Sequence, residues 1–261
     1  MAKITAGIVA LAVKIGPKVL TVAVKLAKTA KIGKMGLAAG SMAAYAYLFT
    51  WQFAVIIMVS LFFHELGHIW AMKRCGLKTK GIYFIPFLGA AAVSEEMFKT
   101  RRDEVYVAIM GPIWGFALAV GTALVYVFTG NTFFAAAAGW MAMINLFNLL
   151  PISPLDGGRI MKSIAFSINS KMGFIFLVIG IIISMILTVW AGMILFVFLL
   201  FIGSLELFFE YREYEVRPSM TYRGVVISAI AYVLIIAVLW ALMSYTSHIP
   251  EVDMARQLFM G

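Results

Sequence analysis

SLFFHELGHIWAMK, residues 60–73, sets two imidazoles and a carboxylate inside an apolar run. Leu61, Phe62, Phe63, Ile69 and Trp70 suit hydrocarbon, whereas His64, Glu65 and His68 do not. A helix explains the spacing, because residues four apart project from one face and bring two ring nitrogens to a common point. Two histidines so spaced can bind one tetrahedral zinc ion, and the adjacent Glu65 is placed to act on water as general base. Gly67 would let another backbone or a ligand come close. A carboxylate at membrane depth costs at least about 2.5 kcal/mol, so such residues are rare there unless functional. The plainer alternative is a set of polar groups satisfied by bonds between helices.

Composition sets the surroundings of that run. Of 261 residues, 63% are hydrophobic and 13% charged, with a mean hydropathy of +0.99. Soluble domains carry about 25% charged and about 45–50% apolar residues. The chain departs in both directions, which predicts an all-α polytopic membrane protein. Its net charge of +9 does not point to nucleic acid, because the basic residues fall in clusters between apolar spans. The lone Cys75 provides neither a disulfide framework nor a CxxC metal pair.

Residues 35–72 carry no charge except Glu65. As one helix they would run about 57 Å, against a hydrocarbon core of about 30 Å. Two crossings are expected, about 35–50 and 53–73, with a turn near Trp51-Gln52. Others follow at about 104–129, 132–150 and 224–245, and the stretch 172–209 folds back near Trp190-Ala191-Gly192. The expected total is six to seven transmembrane helices, six if 35–50 is only partly inserted. With the amino terminus cytoplasmic, segments 1–34, 73–103, 151–171 and 210–223 hold every Lys and Arg except Arg256. That asymmetry is the positive-inside rule.

Three regions result: a basic amphipathic segment at 1–34, a transmembrane bundle at 35–245, and a tail at 246–261. In the first, Lys3, Lys14, Lys18, Lys25 and Lys28 fall within about 80° on a helical wheel. Such a helix would lie on an anionic bilayer surface, with Pro17 as a break.

Catalytic zinc takes three protein ligands and leaves a position for water. The remaining histidine, His248, lies beyond the last span, on the side opposite the basic end of the 53–73 helix. The second informative stretch is NLFNLLPISPLDGGRI, residues 145–160. Pro151, Pro154, Gly157 and Gly158 would unwind the end of the 132–150 span on the side where His68 lies. Asp156 could reach a metal there, or merely cap a helix over 157–167. Between the motifs, LKTKGIYFIPFLGAAAV at 77–93 is too short and broken for a span and suits a membrane-surface hairpin.

HELGH in one span, followed by NLLPISPLDGGRI at the end of another, resembles the site-2 protease family of intramembrane zinc metalloproteases. The resemblance covers about residues 52–167. It implies one zinc ion held by His64, His68 and Asp156, with Glu65 as catalytic acid/base and Asn148 as a substrate contact or oxyanion donor. It also makes Ile82, Tyr83, Phe84, Ile85 and Phe87 candidates to hold an unwound substrate by strand addition. The implied partners are a transmembrane protein substrate and the lipid bilayer, in a bacterial or archaeal plasma membrane, with the site near the cytoplasmic side. Oligomeric state is not fixed by the sequence. Two other classes compete. A metal or ion transporter would carry polar residues through the bilayer, whereas here the ionisable groups gather at one end. A non-catalytic homologue that binds membrane clients would not need Glu65.

Overall fold

The structure is a computed structural model that describes residues 30–86, 89–191, 201, 203, 205 and 217–249. The basic segment 1–34 lies almost wholly outside these residues, as do Phe87, the proposed fold-back beyond Ala191, and the tail from 250. Among the described residues, nine elements follow in order: α1 Ala30–Leu48, α2 Trp51–Arg74, β1 Thr79–Ile85, β2 Gly89–Ser94, α3 Arg101–Thr129, α4 Thr132–Asn148, α5 Asp156–Ile168, α6 Ser170–Ala191 and α7 Tyr222–Ser247.

Local chemistry sets the ends. Thr50 caps α2, its hydroxyl accepting from Phe53 N at 3.4 Å. The chain therefore breaks two residues before the expected turn at Trp51-Gln52, where a threonine is available for the first free amides. Thr100 caps α3 in the same way, accepting from Asp103 N at 3.0 Å, and Asp103 and Glu104 complement the positive end of the helix. Gly130, at φ 66°, ends α3, and Asn131 then caps α4 through a 3.0 Å bond from Phe133 N.

Three described helices, α2, α3 and α7, are long and apolar enough to cross a membrane, while α4 and residues 170–183 are shorter apolar helices. The fold is mostly helical, as expected, with three candidate spans. α7 leaves Ile227, Val233 and Trp240 at least 60% exposed, an outward apolar face too extensive for water. Its inner residues Val225, Tyr232, Ile235 and Leu239 pack with Val105, Ala108, Ala142 and Ile160 from α3, α4 and α5. A second cluster joins Phe53 and Ile56 of α2 to Ala119 of α3 and to Ala135, Ala136 and Met141 of α4.

The hairpin forms as anticipated between the two motifs. β1 and β2 pair antiparallel, Ile82 opposite Ala92 and Ile85 opposite Gly89, with an irregularity after Thr79. Gly81 and Gly89 take positive φ, 97° and 101°, which suits glycine at these two positions. β1 carries the bulky side chains and β2 only Gly, Ala, Val and Ser.

Candidate metal centre

α2 presents His64, Glu65 and His68 buried, at 2%, 5% and 4% exposure. α5 begins at Asp156 itself, and the preceding Leu155 makes no side-chain capping bond. The Asp156 carboxylate is thus not spent on capping. Its Oδ2 lies 2.9 Å from His64 Nε2 and 3.1 Å from His68 Nε2, and the two Nε2 atoms are 3.0 Å apart. Among the described residues, His64, His68 and Asp156 bring their ligand atoms within 4.8 Å of one another. The connection from α4, through Pro151 and Pro154, brings α5 back to this point.

The far sides of the rings fix their tautomers. His68 Nδ1 lies 2.8 Å from the backbone carbonyl of Val107, which can only accept, so Nδ1 carries the proton. His64 Nδ1 lies 2.8 Å from Asn145 Oδ1. The Asn145 amide cannot be reversed, because its Nδ2 donates to Met141 O at 2.8 Å. His64 Nδ1 is therefore the donor as well. Both Nε2 atoms turn unprotonated lone pairs toward each other and toward a carboxylate oxygen that makes no hydrogen bond. Three buried acceptors with no proton between them call for a cation. Two imidazoles and a carboxylate, each imidazole with its other nitrogen anchored, form a donor set that fits zinc.

Close approach of α3 makes the centre possible. A Cβ on Gly111 would overlap the His68 ring and lie 2.8 Å from His64 Nε2. On α2, a Cβ on Gly67 would overlap the Met110 carbonyl, so the two backbones meet where the histidines are. Arg159, one turn along α5, places Nη1 3.6 Å from Asp156 Oδ1.

Glu65 turns its carboxylate to the hairpin, Oε2 accepting from Ala92 N at 2.6 Å. Asn148 donates from Nδ2 to Ile144 O at 3.2 Å, and the asparagine in contact with the histidine pair is Asn145. Ile82, Tyr83, Phe84 and Ile85 lie on β1, while β2 supplies the contact with Glu65. His248 bonds Ser244 O at the end of α7. Burial, and then the neighbouring Asp103 carboxylate, push the Cys75 thiol up, which keeps it protonated outside the centre. Asn145 and the Ala92 amide are the contributors that sequence reading passes over. Asn145 had one visible signal, a second amide in an apolar helix, whereas a backbone N–H has none.

Residues 52–137 match the model of peptidase family M50. Zinc metalloprotease MJ0392 of Methanocaldococcus jannaschii is 29% identical over 126 residues, 46% of this chain and 35% of that one. Putative zinc metalloprotease Rip3 of Mycobacterium tuberculosis is 35% identical over 118 residues, 42% of this chain and 30% of its own. The chain thus spans about a third of the length of these curated relatives. Among solved structures, a site-2 protease from Methanocaldococcus jannaschii is 26% identical, covering 66% of this chain and 82% of that one with a TM-score of 0.45. The match to peptidase family M50 includes both histidines and the glutamate of the first motif and ends before the second, and it agrees with the resemblance those motifs carry.

Proposed function

We propose that the chain is an intramembrane zinc metalloprotease that hydrolyses peptide bonds in or near transmembrane segments of membrane proteins. The observation that carries this reading is the convergence of His64 Nε2, His68 Nε2 and Asp156 Oδ2 beside Glu65, on a helix long enough to cross a membrane. The alternatives, an ion transporter or a non-catalytic binder of membrane clients, have no comparable observation in their favour.

A bound zinc ion supplies Lewis acidity, polarising a carbonyl and lowering the pKa of water to about 7. His64, His68 and Asp156 would hold it. Glu65 takes a proton from the attacking water as its oxygen adds to the scissile carbonyl carbon. The same carboxyl returns that proton to the amine nitrogen as the carbon–nitrogen bond breaks. A helical substrate has its carbonyls hydrogen-bonded and shielded, so it must be locally unwound before this attack. The hairpin stretch Ile82–Ile85 and Phe87 is assigned to holding the unwound segment, and Asn148 to contacting substrate or the oxyanion. The chain is further assigned six to seven crossings, a cytoplasmic amino terminus and a centre near the cytoplasmic side, which the distribution of Lys and Arg supports.

The test uses protein purified in detergent, its zinc content, and cleavage of a transmembrane peptide library. Glu65→Gln is expected to retain zinc and lose cleavage by at least about 100-fold, the scale of general acid–base catalysis. Undiminished cleavage by that variant would remove the protease assignment.

A further inference from the structure

We propose that β2 is a positioning strand for the general base, its Ala92 N–H fixing Glu65 Oε2 and so selecting which carboxylate oxygen meets water. This rests on the reading of Glu65 as that base. The contact is short, 2.6 Å, and joins residues 27 apart in the chain. It is also directional. Successive backbone amides in a strand point to alternate sides, so if Ala92 N–H points at Glu65 it points away from β1. Opposed residues in an antiparallel ladder alternate between pairs that exchange ladder bonds and pairs that do not, and an Ala92 N–H given to Glu65 places Ala92 and its partner Ile82 in the second kind. The amide is therefore available to a side chain without any loss of hairpin pairing.

The strand that offers it is held from both sides. Ala92 packs with Ala71, Met72, Leu77 and Val107, on α2, the connection after it, and α3. On the outer side, α1 clasps β1: the Lys34 amino group meets the Lys80 carbonyl and stands 4.6 Å from the centre of the Tyr83 ring. Pro86 lies beside Gly40 of α1, its Cγ 3.9 Å from where a Cβ at that glycine would stand. A hairpin wedged between α1 and α2 can hold one amide still against a carboxylate. A carboxylate held through one oxygen loses the freedom to rotate and present either, which lowers the entropic cost of reaching the reacting water. The small side chains of β2 fit this task, since a bulky residue at 92 would lift the backbone from α2.

The experiment removes the N–H alone. Replacing Ala92 by its α-hydroxy acid, lactate, turns the amide into an ester and keeps the methyl side chain. The expected result is a fall in kcat of about 10- to 100-fold, the range for losing a hydrogen bond to a charged group, with KM and zinc stoichiometry unchanged. A parallel measurement needs no activity. In zinc-loaded protein, the Ala92 amide proton is expected to resonate downfield in the wild type and to move upfield in Glu65→Gln. An ester variant with unchanged kcat, a loss confined to KM, or an amide proton that ignores Glu65→Gln would each overturn the proposal. A wild-type protein that cleaves nothing would instead count against the protease reading, and the amide shift would still decide the contact.

Discussion

His64 and His68 turn the same nitrogen, Nε2, inward, and what makes this possible is set on the far sides of the rings. A backbone carbonyl, Val107 O, anchors one ring and a side-chain amide, Asn145, anchors the other. The two anchors differ in what mutation can reach. Val107 O belongs to the helix and survives any side-chain change, whereas Asn145→Ala removes the acceptor and frees His64 to change tautomer. Loss of such an outer partner typically weakens metal binding about 10- to 100-fold, and competition with a zinc chelator in detergent would read that shift. Affinity equal to the wild type would exclude Asn145 from the site. Asp156→Ala should act more severely. It removes one of the three candidate ligand atoms and leaves two lone pairs 3.0 Å apart, so zinc measured after gel filtration should fall to well below one ion per chain. Unchanged occupancy would remove Asp156 from the ligand set.

Helix α5 carries Asp156 at its first residue, and its placement rests on a buried ionic cluster rather than on apolar packing alone. Lys162 Nζ meets Glu104 Oε1 at 3.0 Å, Ser163 Oγ donates to Glu104 Oε2 at 2.8 Å, and Arg217 Nη1 lies 3.3 Å from the same oxygen. Glu104 and Lys162 are both at most 3% exposed, so the cluster pins α5 to α3 where no water can substitute. Breaking a buried pair costs about 3–5 kcal/mol, and Lys162→Met, with Arg217 still beside Glu104, should lie near about 3 kcal/mol. Melting of the zinc-free protein in detergent would show it as a lowered transition temperature; an unaltered transition would mean the pair is not what holds α5. These elements also mark what could be read in the sequence. The i, i+4 histidines were legible because helix geometry is local, and the hairpin because Gly81, Pro86 and Gly89 punctuate 77–93. The sequence left Asp156 as either a metal ligand or the cap of a helix over 157–167, and the helix in fact starts at Asp156 itself. Which asparagine of NLFN faces His64 was not legible, because it depends on the rotation of α4 about its axis against α2. The Glu104 cluster was equally hidden, since its members come from sequence positions 104, 162, 163 and 217, on three separate parts of the chain.

Across the whole molecule, the charge pattern and the helices bear on one question: which ends share a side of the bilayer. α3 has 29 residues, about 43 Å at 1.5 Å per residue, which exceeds an apolar core of about 30 Å. Its first turn holds Arg101, Arg102, Asp103 and Glu104, and its far end meets α4 through Gly130-Asn131, which carries no charge. α2 ends in Lys73 and Arg74, at the basic end that the hairpin joins to the start of α3. If that end is cytoplasmic, the hairpin, the ends of α2 and the Gly130-Asn131 turn sort onto predictable sides. In a Cys75→Ser background, a cysteine placed at Lys99 should react with an impermeant maleimide only in inside-out vesicles, and one placed at Asn131 only in right-side-out vesicles. Lys99 precedes α3 and Asn131 follows it, so a single crossing must separate them. Labelling of both from one side would mean that α3 does not span, and labelling in the reverse sense would invert the orientation that the basic clusters imply. In the predicted sense, Glu65, whose carboxylate meets the same hairpin, lies toward the cytoplasmic end of α2, where water can approach without crossing the apolar halves of the helices.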